Sequence, residues 1–163
     1  MDLKEVVERA IEPALALLPA RMDMPAARVM LLAIGLQESR FEHRRQIGGP
    51  ARGFWQFEKG SRASRGGMWG VYLHQASKDR LAALCKARSV ACDPDAIYAA
   101  LEYDDVLAAG VARLLLWTDP KALPAIGDAE AGWALYLRTW RPGKPHPKTW
   151  PALYAQAMAA VEI

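Results

Sequence analysis

Pro25-Ala26-Ala27-Arg28-Val29-Met30-Leu31-Leu32-Ala33-Ile34-Gly35-Leu36-Gln37-Glu38-Ser39 is the stretch whose reading decides the fold. It opens on a proline, which suits the first position of a helix, and continues as a nearly unbroken apolar run, so a helix is predicted over 25–39. Leu31, Ile34 and Gly35 precede Glu38 by seven, four and three residues. The Glu38 carboxyl therefore shares a helical face with apolar surface rather than with other charges. Desolvation on that face and the partial negative charge of a helix C-terminus both disfavour ionisation. A carboxyl kept protonated near neutral pH is what general-acid catalysis requires. The plainer alternative is a solvated glutamate at a helix end.

Outward from this stretch the chain reads as helical throughout. Its 163 residues suffice for one domain with a sizeable core, and 52% of them are hydrophobic. Abundant alanine and leucine, few β-branched runs and prolines at expected helix starts predict an all-α single domain over 1–163 with short connections. A first helix is expected from about Leu3 to Leu18, and an irregular region between Phe41 and Gly67. Asp93-Pro94 reads as a cap followed by proline at the first helical position. Asp119-Pro120 or Thr118 is expected to start another short turn. The segment from Asp105 to Trp117 is apolar almost all round, as a central buried helix would be. Asp128 is expected to cap a helix through Arg138, and Pro151 to open the last one. Cys85 and Cys92 are read as free thiols, with a disulfide open if the intervening loop folds back. His43, His74 and His146 lack the paired spacing of a zinc site, so no metal and no cofactor are expected.

The loop after Glu38 adds a specific pattern. Glu38-Ser39 is followed by Gly49-Pro50-Ala51-Arg52-Gly53 and then Phe54-Trp55-Gln56. This order resembles the signature of the lysozyme-like lytic transglycosylases that cut bacterial peptidoglycan: a Glu-Ser pair, a Gly-Ala-x-Gly-like turn, and a Gln, with Phe54-Trp55 where the family commonly has Leu-Met. Further on, Asp105-Val106 to Leu115 is similar to the family's Asn-Ile-x-x-Gly-x-x-Tyr-Leu helix, with Asp105 and Arg113 departing from it. Ala134-Leu135-Tyr136-Leu137 is similar to its Ala-x-Tyr-Asn segment, with Leu137 replacing the Asn. The four segments span about residues 30 to 140, and the first two are the most specific.

The resemblance implies a lysozyme-like helical fold with a glycan-binding cleft, and cleavage of the MurNAc-GlcNAc β-1,4 bond. Glu38 would act first as acid and then as base, while the substrate's N-acetyl group assists and its 6-hydroxyl closes a 1,6-anhydro ring. Around it, Ser39, Gly53, Trp55, Gln56 and Tyr136 are the candidate substrate-binding residues. Gln56 offers an amide to the sugar's polar groups, and Trp55 is the preferred indole for covering a sugar face. Ser39 would hydrogen-bond the glutamate or the acetamido group, or satisfy local backbone. Glu58, Glu102, Asp104 and Asp105 are candidate second carboxylates, more simply read as surface charges or caps. The proline-rich segment Trp140 to Trp150 sets basic groups between two indoles, as a cleft wall or a packed surface loop. Arg40, Arg44, Arg45 and Arg52 either contact wall peptides or solvate the rim.

The expected partner is the peptidoglycan glycan strand, met by a monomer. A hydrolytic muramidase acting on the same bond and a non-catalytic wall-binding protein are the alternatives, with a chitin-type substrate less favoured. A nucleic-acid role, prompted by Arg44-Arg45 and Arg62-Ala63-Ser64-Arg65, is disfavoured because the basic residues are interspersed with acids. The formal charge of +3 and pI near 9.0 suit an anionic polymer. Met1-Asp2-Leu3-Lys4-Glu5 lacks a secretory pattern and no membrane span is evident, so delivery to the wall with a partner's help is expected, as for phage lysis proteins and virion components.

Overall fold

The computed structural model describes residues 1–162. Its element order is α1 (Leu3–Val6), a π-helical turn (Val7–Ile11), α2 (Glu12–Ala16), a 3-10 turn (Ala20–Met22), α3 (Pro25–Ser39), α4 (Gly67–Leu73), α5 (Lys78–Arg88), α6 (Pro94–Ala100), α7 (Asp105–Trp117), α8 (Ala129–Trp140), a 3-10 turn (Pro147–Thr149) and α9 (Trp150–Ala160). The all-α expectation holds, and there is no strand among the described residues; two isolated bridges, Arg45 with Arg52 and Arg52 with Phe57, are the only β-like pairing.

The predicted first helix is present but widened. Pro13 has no N–H to donate and its ring crowds the preceding turn, and the π-helical turn lies immediately before it. It ends at Ala16 rather than Leu18. Side-chain caps set the other boundaries: Asp93 accepts from Ala96 N–H at 2.8 Å, Asp104 from Leu107 N–H at 2.9 Å and Asp128 from Ala131 N–H at 3.0 Å. α8 runs two residues past the expected Arg138, to Trp140.

α7 is buried from Leu107 to Leu116, which confirms its place at the centre. α3 lies along α9 and touches α7, and every residue from Val29 to Leu36 is buried. Glycines permit the closest approaches: a Cβ on Gly110 would come within 2.6 Å of Leu84, and one on Gly132 within 3.2 Å of Met30 and Tyr154. The helices therefore enclose α3 from Val29 to Leu36 and leave its first and last turns to face outward. Cys85 is buried and Cys92 exposed, both as free thiols. No helix among the described residues is long and apolar enough to cross a membrane.

Candidate active site

The end of α3 is set by packing. Arg40 and Phe41 both take left-handed backbone, with φ of 57° and 54°, so the chain reverses and Phe41 folds back over the helix. Its ring occupies the place a side chain on residue 35 would need, since a Cβ on Gly35 would lie 2.0 Å from Phe41 Cζ. Phe54 and Trp55 meet the same ring edge-to-face at centroid distances of 5.4 and 5.5 Å. Ser39 clamps the loop to the helix: its Oγ donates to Phe54 O at 2.6 Å and accepts from Phe41 N–H at 3.1 Å. Glu38, one residue earlier, is left half-buried and lines a cleft of about 890 Å³.

The Glu38 carboxyl is pushed up to about 7. Burial is the largest cause; the Tyr136 hydroxyl opposes it, and the negative charge of Glu58 adds to it. Tyr136 donates to Glu38 Oε1 at 2.5 Å. Burial and the adjacent Glu38 push the phenol far above its ordinary range, so it remains a donor at every physiological pH. Indoles fix its ring: Trp150 stacks on it at 5.5 Å and an interplanar angle of 10°, while Trp133 packs beside it at 5.3 Å.

Five residues were expected to bind substrate, and the structure divides them. Gln56 and Tyr136 line the cleft with Glu38. Gln56 holds left-handed backbone at φ 51° and its Nε2 donates to Gly53 O at 2.8 Å; Oε1 has no protein partner among the described residues. Trp55 is a correction. Its indole is wholly buried, and Nε1 donates to Leu31 O at 2.8 Å inside the core. The turn that directs Gln56 toward the cleft sends its neighbour the other way. Ser39 is a second correction, because its buried hydroxyl is fully engaged by Phe54 and Phe41 and does not reach the cleft. Gly53 does not line the cleft either. At φ 76°, with Leu101 O only 2.9 Å from where a Cβ would sit, it makes the turn that presents Gln56.

The indole in the cleft is Trp140, which is half-buried with its Nε1 donating to Trp55 O at 2.9 Å. The proline-rich segment that follows forms a wall, with Arg141, Lys144 and His146 among its lining residues. Gln37, next to Glu38, anchors that wall: its Nε2 donates to His146 O at 3.1 Å and its Oε1 accepts from Thr149 Oγ1 at 3.0 Å. A polar residue beside the acid at a helix end was the only sequence signal for this clamp.

The other acidic candidates separate by partner. Asp105 holds Arg44 through two bonds of 2.8 Å, Glu102 holds Arg45 at 2.7 and 3.1 Å, and Asp104 holds Arg88 while capping α7. Arg44 and Arg45 are thereby committed to structure, as is Arg52, which donates to Gly49 O and Ala51 O. Glu58 is different: it lines the cleft, is exposed, and forms no ion pair among the described residues. No group of three or more His, Cys, Asp or Glu among the described residues is placed to hold a metal. Comparison with protein-family models, curated proteins and solved structures finds no match to this chain.

Proposed function

We propose that this protein is a peptidoglycan lytic transglycosylase, with Glu38 as the one residue that moves protons. The observation that carries the reading is a carboxyl pushed up to about 7 that lines a cleft of about 890 Å³ and is hydrogen-bonded by a phenol that stays protonated at physiological pH. The Glu38-Ser39 to Gln56 motif supplies the substrate class by resemblance.

In the first step Glu38 gives its proton to the glycosidic oxygen as the C1–O4 bond breaks, and the acetamido carbonyl oxygen of the same sugar bonds to C1. Tyr136 then stabilises the new carboxylate. In the second step that carboxylate takes the proton of the 6-hydroxyl, O6 bonds to C1 and the acetamido oxygen leaves, so a 1,6-anhydro end forms without water and Glu38 is reprotonated. Gln56 Oε1 is free to accept from the acetamido N–H, and Trp140 offers its face to the sugar.

One observation favours a second reading. Glu58 is an unpaired carboxylate in the same cleft, and a carboxylate able to activate water on the far side of the ring would make the protein a hydrolytic muramidase. Release of soluble muropeptides from purified sacculi by the wild type and by Glu38→Gln tests the proposal. A rate loss of at least about a hundredfold with the fold intact is expected for a general acid. Mass spectrometry of the products then reads the ends: anhydro-muramic ends support transglycosylation, and reducing ends transfer the assignment to hydrolysis. Equal rates for both proteins would remove Glu38 from the chemistry.

A further inference from the structure

The wall formed after Trp140 has an unusual charge pattern. From Ala131 to Val161 the chain contains no aspartate or glutamate, yet it carries Arg138, Arg141, Lys144 and Lys148. Arg138 is paired with Asp119 at 3.0 Å. Arg141 donates to Arg65 O at 3.0 Å, which ties the wall to the opposing loop but leaves its charge without a carboxylate. Lys144 lines the cleft, is exposed and has no ion-pair partner among the described residues. Elsewhere Arg28, Arg44, Arg45, Lys59 and Arg88 hold carboxylates, and Arg40, Arg62 and Lys86, which form no ion pair among the described residues, do not line the cleft as Arg141 and Lys144 do.

The wall is also stiff. Pro142, Pro145 and Pro147 restrict its backbone, and Gln37 fastens it to the helix turn that carries Glu38. Unpaired positive charge is therefore held at a fixed offset from the proton donor. The sugar rings themselves are neutral, so carboxylates that such charge can bind come from the peptides, or from the lactyl groups once the peptides are removed.

Resting on the transglycosylase reading, we propose that this wall is a specificity element for the carboxylates of peptides attached to the glycan beside the scissile bond, with Lys144 as its principal contact. The protein then takes peptide-bearing strands in preference to naked ones.

The test is binding, so that it does not depend on turnover. Glu38→Gln protein is titrated against purified glycan strands whose peptides are intact and against the same strands stripped by an amidase with the freed lactyl carboxylates capped as methyl amides, both freed of phosphate polymers. Peptide-bearing strands should bind roughly fivefold tighter at low salt, with the preference fading as salt rises, as expected for exposed charge pairs. Adding Lys144→Glu should bring the two affinities within about twofold while leaving the melting temperature unchanged, because an exposed, unpaired lysine contributes little to folding. Equal binding of the two strands by Glu38→Gln, a preference that survives Lys144→Glu, or binding to neither strand would each overturn the assignment. Cleavage of sacculi by the wild type is read separately, so a failed catalytic reading and a failed specificity reading give different results.

Discussion

Two helix ends in this molecule carry acidic side chains and treat them in opposite ways. At the N-terminus of α7, Glu102, Asp104 and Asp105 each face a guanidinium, and Asp104 also accepts from Leu107 N–H at the positive end of the helix. Arg45 holds the Glu102 carboxyl below its usual range. At the C-terminus of α3, Glu38 forms no ion pair among the described residues, lies at the negative end of the helix and is partly desolvated, and its carboxyl goes up to about 7. Position near a helix terminus is common to both; the charge partner and the polarity of the end decide whether the carboxylate holds structure or is left able to exchange a proton.

The sharpest way to break that contrast is to neutralise one acid at each end. Glu38→Gln should lower muropeptide release about 10²–10⁴-fold while keeping the fold. Asp105→Asn should leave the product ends unchanged and lower stability by about 1–2 kcal/mol in urea titration, because Arg44 loses a partly buried bidentate partner. Loss of cleavage at Asp105 with unchanged stability would erase the distinction.

Next in size is the stability profile. The folded-state value of Glu38 is raised, so its protonated form is favoured on folding below about pH 4.5, and that contribution is lost as pH rises through about 7. Glu38→Gln removes the penalty of a partly buried charge. It should melt level with the wild type near pH 4 and be more stable by about 1–3 kcal/mol above pH 7. A difference that does not grow with pH would mean that Glu38 is not desolvated.

Activity should follow the same group. The acid must be protonated to act, so kcat/KM should fall about tenfold per pH unit above about 7. Tyr136→Phe removes the one interaction that lowers the Glu38 value, and the alkaline limb should move upward in pH while the maximal rate falls several-fold, on the order of one lost charge-assisted hydrogen bond. The smallest effect belongs to Glu58→Gln, which should move that limb downward by less than about half a pH unit, because an exposed charge acts through solvent. A downward shift in Tyr136→Phe would reverse the assigned sign of the hydrogen bond.

Much of this was readable in the sequence. Helix α3 and its acid follow from an apolar run ending in Glu38, and α7 from a segment with no polar face. The capping roles of Asp93 and Asp128 follow from short acidic side chains ahead of helical runs. The misreadings share one physical cause. In the turn from Gly53 to Phe57 the side chains change sides between Trp55 and Gln56, and composition does not say where that change falls. Trp55 went into the core and Gln56 into the site for that reason. Ser39 likewise had two competing sets of partners, and the backbone reversal at Arg40 and Phe41 decided between them. The Gln37 clamp joins residues more than a hundred positions apart, a separation over which local periodicity carries no information.

Gly35 has a consequence for how variants of this protein would be interpreted. It touches no part of the cleft, yet the Phe41 ring rests where its side chain would be, and that ring turns the chain immediately after the acid. If the proposed function holds, a mutational screen scored only by clearing of cell walls should place Gly35 beside Glu38 as an indispensable position. Counting the folded molecules as well would part them: a bulkier residue at 35 is expected to deplete the population, whereas on the proposed function Glu38→Gln should silence each member of an intact one.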